Sequence, residues 1–201
     1  GIFRVAPQEN PVFSTSPDIF YAKCRINSCL FFAIVIYLVY MKRETYRKLY
    51  ARQAAFYKAH PRAMKALIFA NFALTAAVFA AYALLCAFGL IGGSLADVLR
   101  IVGVPLLCLL TVSALRNLIN RKRPYECADI RPLLHKNKSG RSFPSRHVAS
   151  AFVIGTVLLR YAVWGGIPVL AAGLILGYIR FAAGLHYPSD LAAGALIGAL
   201  F

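Results

Sequence analysis

The sequence predicts an all-α integral membrane protein, a bundle of five to six transmembrane helices with an interfacial amphipathic helix beside it. Three observations carry that prediction. The 201 residues are 60% hydrophobic, above the roughly 45–50% usual in soluble domains. An uncharged run extends from Ala66 to Gly93, longer than the ~20 residues a helix needs to cross the hydrocarbon core. The formal net charge of +16, which in a soluble chain would point to nucleic acid, is gathered beside apolar runs. Of the 23 Lys and Arg, 8 lie between Lys42 and Lys65 and 8 between Arg116 and Arg141. The first block reads as a juxtamembrane collar that meets anionic headgroups, so membrane lipids are the expected partners and nucleic acid is not.

Residues 1–40 form a loop-rich segment with Pro7, Pro11 and Pro17 and one apolar stretch, Cys29 to Met41, too short for a confident span. Met41 opens a basic stretch that resembles a bacterial amino terminus, so residues 1–40 are read as lying outside the native reading frame. Peptides from Asp18 to Lys42 in a digest of the natural protein would contradict that. Over 41–65 the apolar positions Tyr46, Leu49, Tyr50, Ala54 and Tyr57 recur at helical spacing, with Arg47, Lys48 and Arg52 on other faces. This predicts an amphipathic helix at headgroup level. The membrane domain then occupies 66–201. Its spans are Ala66 to Gly93, Val98 to Leu115, Val148 to Trp164 and Ile167 to Leu185, followed by an apolar run from Leu191 that ends in mid-course at Phe201. The chain therefore reads as a fragment with a truncated last helix. The joints at Gly92 to Asp97 and Gly165 to Gly166 are short, whereas Asn117 to Pro144 is long. Gly173/Gly177 and Gly194/Gly198 place small residues on one helix face, which serves packing within the bundle more often than an oligomer interface. The five cysteines are odd in number and lack a CxxC pair, so neither a disulfide framework nor a zinc site follows. Cys86 and Cys108, inside spans, read as packing residues.

If the spans alternate, both short joints share one side, and Arg116 to Pro144 meets Gly184 to Asp190 on the other. Three clusters converge there. Arg116-x6-Arg123-Pro124 supplies two guanidinium forks for phosphate. Pro144-Ser145-Arg146-His147 puts Ser145 at the N-cap of a span, where free backbone N–H groups favour an anion. Arg180-x5-His186-x3-Asp190 contains the only acidic residue after Asp129. A lone carboxylate at membrane depth needs a partner, and Asp190, in the first turn of a new helix, reaches the His186 ring. The carboxylate fixes the tautomer and leaves the other ring nitrogen free to attack phosphorus. His147 is then placed to protonate the leaving oxygen. Arg116, Arg123, Arg180 and Ser145 hold the equatorial oxygens as charge develops. The expected cycle is attack by His186, a phosphohistidine, release of the alcohol and hydrolysis by water. His60 and His135 read as headgroup contacts, Arg160 as a snorkelling residue, and Glu126 and Asp129 as loop partners of arginine.

Together, Arg116-x6-Arg123-Pro124, Pro144-Ser145-Arg146-His147 and Arg180-x5-His186-x3-Asp190 resemble the three-part signature of the type 2 phosphatidic acid phosphatases, the lipid branch of the superfamily that includes vanadium haloperoxidases. The resemblance covers roughly Ala66 to Phe201. It implies a metal-independent phosphatase of membrane lipids without a cofactor, with a helical core and the residue roles above. Three positions depart from the pattern: Arg116 stands where Lys is usual, Arg146 where Gly is usual, and Ile179 where Ser is usual. Arg116 keeps charge and donors. Arg146 projects a side chain where the pattern has none, adding a phosphate contact or narrowing the pocket.

The substrates in view are phosphatidic acid, phosphatidylglycerol phosphate and an isoprenyl diphosphate such as undecaprenyl diphosphate. A phosphotransferase, with an acceptor alcohol in place of water, and a non-catalytic lipid-binding relative are the alternatives. The intact His147, His186 and Asp190 speak against the latter, and the apolar spans against a soluble haloperoxidase. A bacterial cytoplasmic membrane is the expected location. Lys and Arg near span ends place the site on the cytoplasmic side, while the resemblance places it outside, and the latter is preferred.

Overall fold

The computed structural model describes residues 43–127, 130–134 and 139–201. The expectations for residues 1–40, Asp129 and His135 lie outside these. The first helix, α1 (Arg43–Ala59), stops before His60, because Pro61 has no N–H to continue it and instead opens α2 (Pro61–Gly92) at a position where none is needed. The membrane helix therefore starts five residues ahead of the uncharged run, with Arg62 and Lys65 in its first turns. Ser94 and Asp97 form a reciprocal capping box on α3 (Leu95–Val98). A π-helical segment, Leu99–Gly103, joins α3 to α4 (Val104–Ile119). A short α5 (Pro124–Cys127) precedes the long connection, after which come α6 (Arg146–Tyr161), α7 (Val163–Ala182) and α8 (Pro188–Leu200). No strand occurs among the described residues.

Pro61–Gly92, Leu95–Cys127 and Val163–Ala182 are long and apolar enough to cross a membrane. The shorter apolar α8, of 13 residues, and α6, of 16 residues with Arg146, His147 and Arg160, complete the helical bundle among the described residues. One boundary differs from the sequence reading. The second short joint is Ala162, whose φ of −152° and ψ of 102° break the helix, and not Gly165 to Gly166. Both glycines lie in the first turn of α7, where they bring it down on α6: a Cβ on Gly166 would stand 2.6 Å from Leu159.

Helix α6 is the centre of the bundle and packs on α7, α8, α4 and α2. Its buried face, including Ala149, Ala151, Val153 and Ile154, meets Leu176 of α7 and Val112 of α4 in one apolar core. Both small-residue pairs point at this helix. A Cβ on Gly173 would meet Phe152 and Ala151, and one on Gly194 would lie 2.7 Å from the Ser145 carbonyl. They serve contact inside the bundle, as expected.

At one end, the Tyr161 hydroxyl donates to Asp97 Oδ1 at 3.0 Å, so both short joints lie together. The long connection and the α7–α8 turn lie together at the other end, where Ser142 Oγ bonds to Asp190. Helix α1 reaches this end too, and its tyrosine stripe faces protein. Tyr46 is fully buried, and Tyr50 and Ala54 nearly so, against Tyr187, Phe181 and Leu133. The Tyr46 hydroxyl approaches the His186 carbonyl at 3.5 Å, and Tyr50 donates to the Arg131 carbonyl at 2.6 Å. Gly184, at φ +75°, leaves room for the Tyr50 ring, which a Cβ there would meet at 2.7 Å. Arg47, Lys48 and Arg52 remain exposed on the opposite face.

Candidate active site

Arg116 stands in the last turn of α4, and Asn120, at φ +40°, ends that helix in the left-handed conformation. The Arg116 guanidinium is buried and donates through Nη1 to the Pro144 carbonyl at 2.6 Å. Arg123 is held from three sides. Its backbone N–H donates to Glu126 at 2.6 Å, its Nε donates to the Gly140 carbonyl at 3.1 Å, and Glu126 also takes the Gly140 N–H at 3.0 Å. Glu126 thus positions backbone around Arg123, where an ion pair with an arginine side chain was expected. Ser145 is the N-cap residue of α6 and makes no side-chain cap, but its N–H donates to the Asp190 carbonyl at 2.9 Å and ties α6 to α8.

Every residue from Ala182 to Asp190 is buried. Asp190 lies in the first turn of α8, and its Oδ2 is 3.6 Å from His186 Nδ1. Such a contact is long for a hydrogen bond and is of the kind that tightens when substrate binds. Two residues missed in the sequence reading complete the carboxylate's surroundings. Ser142, fully buried, donates to Asp190 Oδ2 and stands 3.4 Å from His186 Nδ1. Arg121 donates to Asp190 Oδ1 at 2.8 Å and to Ser189 Oγ at 2.7 Å, with its guanidinium 4.4 Å from the centroid of the Tyr187 ring. With the N–H of Tyr187 on Oδ2 at 3.0 Å, both carboxylate oxygens are satisfied.

A polar cavity of about 620 Å³ opens at this point, lined by Arg116, Arg123, Arg141, Arg146, His147 and His186 among others. Arg146, at the position where Gly is usual, is exposed on its wall. Arg180, although buried, lines a neighbouring cleft that shares His147. Ile179 packs in an apolar cluster with Leu67 and Ala182, which suits the replacement of a hydroxyl there. Six buried side-chain polar atoms have no hydrogen-bond partner among the described residues. Four of them belong to the groups expected to hold phosphate: Arg116 Nε, Arg123 Nη1, Ser145 Oγ and Arg180 Nε. The other two are in Gln53 and Asn71.

Burial pushes the His186 imidazole below the ordinary histidine value. Arg123 and Arg180 act in the same direction, and Asp190 opposes them. The free ring is neutral near pH 7, the form with a lone pair to attack. Protonation on acidification removes that lone pair, so kcat/KM is expected to hold as pH falls through about 6.5 and to drop only below it. A pH profile of kcat/KM with an acid midpoint above the ordinary histidine value would contradict this.

Comparison with known proteins bears on the same end of the chain. A family model described as PAP2 superfamily matches residues 97–201. The chain is 37% identical over 93 residues to a lipid A 4'-phosphatase of Bacteroides thetaiotaomicron, covering 43% of this chain and 41% of that protein. It is 37% identical over 67 residues to the bacitracin transport permease protein BcrC of Bacillus licheniformis, 33% of each chain. The matches thus span well under half the length of these two relatives. Among solved structures, LpxE of Aquifex aeolicus aligns with a TM-score of 0.53 and 27% identity, over 65% of this chain and 81% of that one. A transmembrane PAP2 type phosphatidylglycerolphosphate phosphatase of Bacillus subtilis aligns with a TM-score of 0.53 over 87% and 90% of the two chains. At 20% identity, that second likeness is one of fold alone.

Proposed function

The chain belongs to the PAP2 superfamily, and from that premise we propose that it is a membrane lipid phosphatase working through a phosphohistidine. The observation that carries this reading is that four of the buried polar atoms without a partner among the described residues belong to four of the five expected phosphate holders, Arg116, Arg123, Ser145 and Arg180, the fifth, Arg146, being exposed. Leaving such groups without partners in a folded interior costs about 1–3 kcal/mol each. A tetrahedral oxyanion is the ligand that satisfies donors of this kind together.

In the proposed cycle, His186 Nε2 attacks phosphorus while Asp190 holds the proton on Nδ1, the nitrogen it faces. The P–O bond to the lipid breaks, and His147 gives its proton to the departing oxygen. Water then attacks the phosphohistidine, His147 takes up a proton from it, and phosphate leaves with His186 restored. Guanidinium charge offsets the charge on the equatorial oxygens, so the cycle needs no metal ion. The substrate is a phosphomonoester or diphosphate of a lipid, and the site faces the outside of a bacterial cytoplasmic membrane. The arginines that bind phosphate raise the basic count on that side for reasons unrelated to topology.

The test is phosphate release by purified protein in detergent with EDTA, over a panel of phospholipid and isoprenyl phosphates. Release that survives EDTA supports the reading. No release from any lipid contradicts it, and transfer of labelled phosphate to a second lipid would make the protein a phosphotransferase instead.

A further inference from the structure

Asp190 Oδ2 and His186 Nδ1 lie 3.6 Å apart, a gap that a side-chain hydrogen bond does not span. Ser142 stands beside that gap. It belongs to none of the three clusters read from the sequence, yet its Oγ donates to Asp190 Oδ2 and lies 3.4 Å from His186 Nδ1. The residue is fully buried and held at both ends of its backbone. Its N–H donates to the Arg121 carbonyl at 2.8 Å, and its carbonyl accepts from Arg116 Nη1 at 3.5 Å.

The direction of these bonds follows from counting protons. Asp190 Oδ2 accepts from Ser142 and from the Tyr187 N–H at 3.0 Å, while Oδ1 accepts from Arg121 at 2.8 Å. Arg121 favours the ionised carboxylate, which only accepts. The serine hydroxyl has one proton, and Asp190 takes it, so toward His186 the Oγ has only lone pairs to offer. A ring nitrogen that bonds to a lone pair carries the proton itself.

We infer that Ser142 is a positioning residue that sets the His186 tautomer: it carries the hold of Asp190 across to Nδ1 and so leaves the lone pair on Nε2. The inference rests on the phosphatase reading above, in which Nε2 forms the bond to phosphorus and Nδ1 keeps its proton through both steps. Ser142 itself makes and breaks no covalent bond. Once Nε2 is bonded to phosphorus the ring is cationic, and the chain from Nδ1–H through Oγ–H to Oδ2 then links an imidazolium to a carboxylate, which strengthens both hydrogen bonds.

The test measures kcat and KM on one lipid phosphate in detergent, together with the NMR spectrum of the imidazole nitrogens. The proteins are wild type, Ser142→Ala, Ser142→Cys, Asp190→Asn and the double variant Ser142→Ala with Asp190→Asn. Ser142→Ala is expected to lower kcat by about 10–100-fold, the range in which partners that orient a histidine act. KM should change little, because the phosphate-holding arginines are untouched. Ser142→Cys, a weak donor and weak acceptor, should recover part of the loss. In the Asp190→Asn background the alanine substitution should cost less than about threefold, since residues that act as a unit are not additive. The spectrum, with His186 assigned by its loss in His186→Ala, should show the proton on Nδ1 in wild type and shared between the two nitrogens in Ser142→Ala.

Unchanged kcat in Ser142→Ala, a loss repeated in full in the Asp190→Asn background, or a wild-type ring protonated on Nε2 alone overturns the inference. If Ser142→Ala does not fold, Ser142→Cys is judged by the same criteria. If wild type turns over no lipid phosphate, the phosphatase reading fails, and the His186 tautomer in wild type and in the serine variants still decides the role of Ser142.

Discussion

Replacing His186 by alanine is expected to lower turnover of any lipid phosphate by about ten-thousandfold or more, since removing a covalent nucleophile costs up to about a millionfold in kcat. The reasoning is geometric. His186 is 4% exposed, lines the polar cavity, and has Asp190 on Nδ1, which leaves Nε2 as the nitrogen for attack in the proposed cycle. Binding should survive better than turnover, because Arg116, Arg123 and Arg180 are untouched by the substitution. Steady-state kinetics on the best lipid of the panel separates the two, as a collapse of kcat with a small change in KM. A variant that retains a tenth or more of wild-type kcat would show that His186 is not the nucleophile.

The second large effect is expected at the Arg121–Asp190 pair. Asp190 is fully buried and Arg121 is 37% exposed, with 2.8 Å between their charged atoms. Removing one partner of a buried pair costs about 3–5 kcal/mol. Partial exposure of Arg121 screens the pair, so Arg121→Ala is expected to cost about 2–3 kcal/mol. Asp190→Asn leaves a cation that can turn to water and should destabilise less. It also removes the charge that fixes the His186 tautomer, a change that lowers kcat by about a thousandfold or more in comparable sites. In the double variant Arg121→Ala with Asp190→Asn, the uncompensated charge is gone, so thermal stability in detergent should recover above that of Arg121→Ala alone while activity stays low. If the double variant is instead destabilised by the sum of the singles, the two residues are not coupled and the pair does not hold the site.

Much of this architecture was legible in the sequence, because membrane spans are written in long apolar runs and the three clusters have fixed internal spacing. Asp190 sits beside His186 because Pro188 opens a new helix between them, which the Tyr187-Pro188-Ser189 insert announces. Ala162 was harder to see. A glycine pair marks a joint in most loops, but Gly165 and Gly166 serve close packing on Leu158 and Leu159, and the break falls on an ordinary residue whose conformation only the tertiary fold dictates. The amphipathic stripe of α1 predicts a helix at headgroup level but does not say what covers its tyrosines; Tyr46 and Tyr50 cover the α7–α8 turn. Arg121 and Ser142 escaped notice for another reason. With Arg116, Arg123 and Arg180 assigned to phosphate, the buried Asp190 lacked a cation, and that charge balance was the available signal. Arg121, inside the interval between two assigned arginines, was the nearest candidate.

The most direct measurement of the central claim is to quench a single turnover of a lipid labelled with radioactive phosphate and to map the label on the protein. The account predicts an acid-labile, base-stable phosphoryl group on the peptide that contains His186, formed with EDTA present and lost in His186→Ala. Full turnover with no labelled protein at any quench time, or label on a residue other than His186, would contradict it.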